Sequence, residues 1–351
     1  MIRAVKRALV LLGLAGCTSA PVLTERDLAE HPNRVRHELR TLPVVSERDA
    51  FFVLDAPDAK AVEIAGDFTD WQPRAIRRSG PFWHERVPFD VRARVEYQFI
   101  VDGKWTLDPR NERSCDNGVG GRNSWIAMPG YRAIAPPSAP AGRLDEHDVA
   151  GHRVWVYVPA GAGPFASMYF HDGEDYLKRA DAAARLDAHG LIGVFVKPVD
   201  RGREYWCDEA YTTFFAELVA WVDAKYPTIA DRARRGIMGA SLGGLISLHI
   251  AYELPRIFGR VATQSGAFYN EGGRDRPATK VFDRVTTSRV HPLRLHVSCG
   301  LYEGLLAQNR VLDGLLRGLK VDHAYEEHPQ GHAWTLWRDT LPGILDHLWK
   351  R

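Results

Sequence analysis

The chain is expected to fold as two unlike units, a small β-sandwich followed by a mostly parallel sheet covered by helices on both faces. Three observations carry that expectation. Beyond residue 146, short apolar runs suited to buried strands alternate with longer stretches of helical spacing, the pattern of a doubly covered parallel sheet. Between residues 46 and 130 the runs are short and punctuated by turn residues such as Asp58, Gly66-Asp67, Ser79-Gly80 and Asp102-Gly103. Ala135-Pro136-Pro137-Ser138-Ala139-Pro140 then reads as a stiff linker between them. At 351 residues the chain also exceeds the usual size of one domain.

In the first unit, strands are predicted at 51–54, 61–65, 84–87, 95–101 and 105–107. The second unit is predicted to hold strands at 154–158, 167–170, 191–197, 234–238, 260–264, 293–299 and 324–327. Its main helices are expected at 210–226, 242–252, 306–319 and 334–348. The domain boundaries follow as 46–130, a Pro-rich linker over 131–145, and 146–351. Ligands of such a sheet bind at the carboxyl ends of its strands.

Ahead of both units lies a processing signal. Arg3, Lys6 and Arg7 precede an apolar stretch over 8–14, and Leu14-Ala15-Gly16-Cys17 follows at once. This has the form of a bacterial lipobox, in which Cys17 becomes the lipidated first residue of the mature chain. The run is too short to span a bilayer. With no aspartate at 18, an outer-membrane anchor facing the periplasm is expected. Residues 18–45 are polar and read as a tether and lead-in.

Removing the signal leaves the mature chain close to neutral, so nothing suggests a nucleic-acid partner. Cys115, Cys207 and Cys299 remain besides Cys17. One pair can form a disulfide in an oxidising compartment; spacing does not decide which, and Cys115 with Cys207 is the pairing to test. Their scatter, without a C-x-x-C pair, argues against structural zinc. No metal or organic cofactor is implied.

The chemistry concentrates at Gly239-Ala240-Ser241-Leu242-Gly243-Gly244, between a predicted strand and a predicted helix. Small residues around Ser241 permit the sharp strand-to-helix turn that exposes a nucleophilic hydroxyl. A serine nucleophile needs a base and an acid that orients it, expected in the order Ser, acid, His. Glu303 follows the predicted strand 293–299 and His332 follows 324–327, so both belong at strand carboxyl ends. His323 and His328 are the nearest rivals for the base, and Asp322 is the fallback acid. Donors to the developing oxyanion are expected from the backbone N–H of Leu242 and, in the loop His171-Asp172-Gly173-Glu174, from that of Glu174, with Gly173 or Asp172 as alternatives.

Taken together, Phe170-His171-Asp172-Gly173-Glu174, Asp200-Arg201-Gly202-Arg203-Glu204-Tyr205, Gly239 to Gly244, Glu303 with Asn309-Arg310, and Gly331-His332-x-Trp334-x-x-Trp337-Arg338 resemble the enterochelin esterase and esterase D branch of the α/β-hydrolases. That branch also holds feruloyl and acetyl-xylan esterases and mycolyltransferases. The resemblance spans residues 146–351. It implies an α/β-hydrolase fold, a triad of Ser241, Glu303 and His332, and supporting roles for Asp172, Arg203 and Glu204. A glutamate at 303 is nearer to the enterochelin esterase pattern.

In the first unit, Gly66-Asp67-Phe68-Thr69-Asp70-Trp71, Tyr97-Gln98-Phe99 through Trp105, Asp108-Pro109 and Gly120-Gly121-Arg122-Asn123-Ser124 resemble the glycogen-binding module family, an early-set immunoglobulin-like sandwich. The resemblance implies sugar contacts from Trp71, Trp105 and Asn123, while Gln98 stands where that family places a lysine. The other role open to this unit is to wall one side of the cleft. Three activities follow: a siderophore-trilactone esterase, a feruloyl or acetyl-xylan esterase with a sugar-binding module, and a non-catalytic carbohydrate-binding lipoprotein.

Overall fold

A computed structural model describes residues 24–38, 43–268 and 277–349; the lipobox expected at Cys17 lies outside the described residues. Eight strands of the second unit form a sheet in the order Arg143–Val149, His152–Val158, Leu191–Val196, Ala166–His171, Arg235–Ala240, Arg260–Gln264, Arg294–Tyr302, His323–Gly331. The first three pair antiparallel and every later pair is parallel. Every residue of Ala166–His171, Leu191–Val196 and Arg235–Ala240 is buried, which is why these strands read as apolar runs without alternation.

Each face of the sheet carries its own core. Glu209–Lys225, Leu242–Glu253, Pro277–Thr287 and Leu306–Gly318 cover one face through Phe215, Leu218, Ile246, Val281 and Leu312. On the other face lie Gly173–Arg179, Ala182–Asp187 and Trp334–Trp349, through Tyr176, Leu186, Leu341 and Leu345.

The first unit is a pair of sheets packed face to face. One contains Val44–Val45, Asp49–Asp55, Phe82–Pro88 and Arg77–Ser79; the other is built on Val62–Gly66, Arg94–Val101 and Arg122–Ala127. Phe52, Leu54, Ile64, Val87, Tyr97, Phe99 and Ile126 fill the space between them. The lead-in is not a free tether. Helices Glu25–Glu30 and Pro32–Glu38 lay Leu28 and Val35 over Phe51, Val53 and Phe82 on the outer face of the first sheet. Asp49–Asp55 is therefore buried on both sides, and its continuous run Ala-Phe-Phe-Val-Leu is the sequence trace of that double cover.

The linker is docked rather than spanning open space. Arg185 donates to the Ala135 carbonyl, the Ala141 N–H donates to Asp187, and Tyr131 Oη donates to Asp339. Its last residues already belong to strand Arg143–Val149, so the second unit starts three residues before 146. That strand escaped the sequence reading because Arg-Leu-Asp-Glu-His-Asp-Val is polar, as suits the exposed edge of a sheet. Cys115, Cys207 and Cys299 are all free thiols, so the pairing of Cys115 with Cys207 is not made.

Candidate active site

Strand Arg235–Ala240 and helix Leu242–Glu253 meet at Ser241, whose φ of 58° and ψ of −123° lie in a region that costs a non-glycine residue strain. The turn is held by the Ser241 N–H, which donates to Gln264 O, and by the Ala267 N–H, which donates to Ser241 O. Close packing explains the glycine at 239, where a Cβ would press on the backbone of Gly243 at 2.5 Å.

Glu303 and His332 come together because of strand register. Tyr302 and Gly331 are partners across the last two strands, so the next residue on each, Glu303 and His332, leaves the sheet side by side. His332 Nδ1 donates to Glu303 Oε2 at 2.5 Å. The second carboxylate oxygen accepts from Ser265 Oγ at 2.8 Å, Cys299 Sγ at 2.8 Å and the Gly300 N–H at 2.5 Å. Burial by itself raises the Glu303 pKa, but the hydrogen bond and charge of His332, with the Cys299 and Gly300 donors, outweigh it and hold the carboxyl below its ordinary value. Trp337 donates to Ser265 at 3.1 Å and stands edge-on to the His332 ring at 5.0 Å. Ser241 and His332 line one cleft of about 380 Å³ with Asp172, Arg201, Trp334 and Trp337.

The loop after Ala166–His171 faces the same cleft. Asp172 takes φ 52° and precedes helix Gly173–Arg179, so the Glu174 N–H lies in a first helical turn and has no partner within its helix. The same holds for the Leu242 N–H. The two helix starts abut, since a Cβ on Gly243 would lie 3.2 Å from Asp172 Oδ2 and 3.3 Å from the His171 Cβ. The Glu174 side chain turns away to Lys178 and Lys197, which hold its pKa down at about 2.

The arginine that reaches this loop is Arg201, not Arg203. Arg201 grips Asp172 through two hydrogen bonds of 2.9 Å, and Tyr205 Oη receives the Asp172 N–H at 2.8 Å. Arg203 is exposed, and its backbone N–H bonds to Asp200. Glu204 is buried one step back, accepting from the Val199 and Asp200 N–H groups and pairing with His152 at 3.2 Å. The run Asp200-Arg201-Gly202-Arg203-Glu204 was legible as a supporting segment; which of two arginines points inward was not.

His323 sits at the opposite end of its strand, bonded to Val321 O and Asp313, and His328 pairs with Glu326. Asp322 precedes that same strand, far from its carboxyl end. Among the described residues no group of three His, Cys, Asp or Glu side chains is placed to hold a metal ion.

A second cavity of about 390 Å³ adjoins the first and shares His332, Ala333 and Trp334 with it. Its other wall belongs to the sandwich: Trp71, Gln98, Trp105 and Asn123. The Trp71 and Trp105 rings lie 6.4 Å apart at 27° to one another. Asn123 is spent internally, donating to Glu96 and accepting from Gln98.

A serine on a strained strand-to-helix turn, a histidine hydrogen-bonded to a buried carboxylate and two adjoining helix starts make up a constellation of the kind that carries out acyl transfer. Residues 152–348 match the model of the family described as "Putative esterase". The chain belongs to this esterase family. This esterase is 27% identical over 217 residues to the Bacillus subtilis protein YjcH, covering 55% of this chain and 89% of that one. To the iron(III) enterobactin esterase of an Escherichia coli O6:H1 strain it is 27% identical over 273 residues, covering 69% of this chain and 67% of the relative. The enterobactin esterase structure from Shigella flexneri superposes with a TM-score of 0.70 at 21% identity, covering 88% of this chain and 95% of that one, a likeness of fold that includes the α/β-hydrolase sheet.

Proposed function

We propose that this esterase acts through Ser241, His332 and Glu303 on a catecholate trilactone of the enterobactin kind. The observation that carries the reading is the 2.5 Å hydrogen bond from His332 to a buried, ionised Glu303 in the cleft that also holds Ser241. Likeness to the E. coli enterobactin esterase along more than two thirds of the chain supplies the substrate class.

His332 takes the Ser241 proton as the oxygen attacks the ester carbonyl. The Leu242 and Glu174 N–H groups receive the negative charge that develops on the carbonyl oxygen. The C–O bond then breaks, the alcohol leaves with the proton from His332, and the acyl group stays on Ser241. A water molecule deprotonated by the same imidazole releases the acid and restores the serine. Glu303 holds the ring in the tautomer that presents Nε2 to the serine and stabilises the imidazolium between steps.

One observation favours a second reading, an ester of a sugar. The stacked Trp71 and Trp105 rings, in the cavity that adjoins His332, offer a platform of the sort a glycogen-binding-module-like sandwich would use. Hydrolysis by the soluble mature chain of a catecholate trilactone, methyl ferulate, acetylated xylan and p-nitrophenyl acetate, with Ser241→Ala as control, separates the readings. Turnover of the trilactone lost in the variant is expected. Selective turnover of acetylated xylan or methyl ferulate would move the substrate to the second reading, and an active Ser241→Ala would overturn the triad.

We also propose that the chain is an exported lipoprotein anchored through Cys17 in the outer membrane, on the lipobox sequence alone. Incorporation of a labelled fatty acid that Cys17→Ser abolishes is the expected result.

A further inference from the structure

The acid loop and the base loop leave neighbouring strands, yet the residues beside Glu303 and His332 are gripped by the other unit. Tyr302, just before Glu303, inserts into the sandwich: its Oη accepts from the Asp90 N–H at 2.9 Å and its ring meets Phe89 edge-on at 5.5 Å. Gly304, just after Glu303, donates its N–H to Asp70 Oδ1 at 3.0 Å. Gly331, just before His332, lies so close to the sandwich that a Cβ there would overlap the Asp67 side chain, and a Cβ on Gly304 would overlap that of Asp70. Gln330 pairs with Arg94 of the sandwich as a parallel bridge.

The gripping element is itself over-determined. Residues 66–71 form one turn closed by Asp70 N–H to Asp67 O and Trp71 N–H to Gly66 O. Thr69 Oγ1 exchanges hydrogen bonds with the backbone of Gly66. Asp70 and Trp71 are consecutive non-glycine residues at φ 51° and 58°. Left-handed backbone of this kind strains a residue that carries a Cβ, and it persists where surrounding contacts enforce it. Asp67 is buried, with one oxygen accepting from the Glu96 N–H and the other from Trp71 Nε1, so its carboxyl cannot swing away from Gly331.

We propose that this sandwich turn is a positioning device for the catalytic pair, with Asp70 and Tyr302 setting the acid loop and Asp67 setting the base loop. The sandwich is then a working part of the site as well as a wall of the cleft. The inference rests on the assignment of Glu303 and His332 as acid and base. Its physical basis is the steep dependence of catalysis on alignment, where about 1 Å of misplacement costs up to about a hundredfold.

The test is the double variant Asp70→Ala with Tyr302→Phe, which removes both hydrogen bonds that tie the acid loop to the sandwich while leaving the residues of the proposed triad, and the ring contact with Phe89, in place. Expected on p-nitrophenyl acetate is a fall in kcat of about tenfold with KM within about twofold. Asp70→Asn, which keeps an acceptor for Gly304, should recover most of the Asp70 share. In a Glu303→Gln background the same double variant should lose less than about twofold more, since its effect passes through Glu303. If the double variant does not fold, Asp70→Ala alone carries the test at about threefold, because that side chain is exposed. Unchanged kcat, or a full tenfold loss persisting on top of Glu303→Gln, overturns the proposal. An active Ser241→Ala would instead overturn the triad assignment beneath it.

Discussion

Tyr302 and Gly331 are register partners, and the shift that pairs them sits next to the site. Gly300 pairs with His328, so two steps on one strand match three on the other. One extra residue is taken up in His323–Gly331, and without it Glu303 would stand opposite Gly331. Bulges of this kind re-aim side chains beside active sites. Here the result is the contact of Glu303 with His332.

Glu303→Gln should lower kcat by roughly 10³ to 10⁴-fold, the scale seen when the acid of a serine triad becomes an amide and the imidazole loses its working tautomer. The amide nitrogen would also face hydrogen-bond donors in place of an acceptor. Steady-state hydrolysis of p-nitrophenyl acetate with unchanged circular dichroism is the check; a loss under tenfold would remove Glu303 from the role.

Asp67 carries a pH signature in stability. Burial, then the neighbouring Glu96 carboxylate, push its pKa up to about 8, against 3.8 in an unfolded chain, while the Glu96 N–H, Arg94 and Trp71 oppose the shift. Between these values the unfolded chain has lost the proton and the folded chain has kept it, so this group makes stability fall as pH rises. Asp67→Asn should therefore gain stability on the parent as pH rises above the ordinary carboxylate range, whatever constant offset the substitution adds. Glu303 works in the opposite sense: its depressed folded pKa adds stability above the ordinary carboxylate range that is lost as pH falls through the folded value. Urea unfolding of parent and Asp67→Asn at pH 5, 6.5 and 8 measures the slope, and parallel lines would refute the assignment.

Arg201 and Arg203 should differ sharply. Arg201→Ala strands the Asp172 carboxylate, 9% exposed, beside Ser241. It should cost about 2 kcal/mol of stability, less than a fully buried pair because the guanidinium is 41% exposed, and lower kcat/KM at least tenfold. Arg203→Ala should stay within about twofold of the parent. Equal effects in the two variants would contradict the geometry.

The thiols should be inert in the folded chain. Burial pushes Cys115 and Cys207 up to about 12 and Cys299 higher still, against an ordinary value of 9.0. Alkylation by iodoacetamide at pH 8 should be at least tenfold slower than in urea at all three positions. Fast native labelling of Cys299 would mean that it does not donate to Glu303 as described.

The two-unit division, the run of parallel strands, the sharp strand-to-helix turn at Ser241 and the placement of Glu303 and His332 after strands were all legible in the sequence. These features are local. Apolar runs of strand length, helical spacing and turn residues are written into consecutive positions, and a nucleophile elbow demands small residues within a few places of its serine. Polar stretches hid the edge strand Arg143–Val149 and the helices Glu25–Glu30 and Pro32–Glu38, because the edge strand only half-buries its residues or leaves them exposed, and the lead-in buries little beyond Leu28 and Val35.

What only the tertiary structure decided is how distant segments meet. The choice of Arg201 over Arg203, the ring of Ser265, Cys299 and Gly300 donors around Glu303, and the contacts of Asp67 and Asp70 with the loops that carry His332 and Glu303 depend on register and on packing between units. No spacing along the chain encodes a contact between Asp70 and Gly304, 234 residues apart. Such a contact exists because the sandwich and the sheet are close-packed, and at that density a difference of one methyl group selects which side chains can touch.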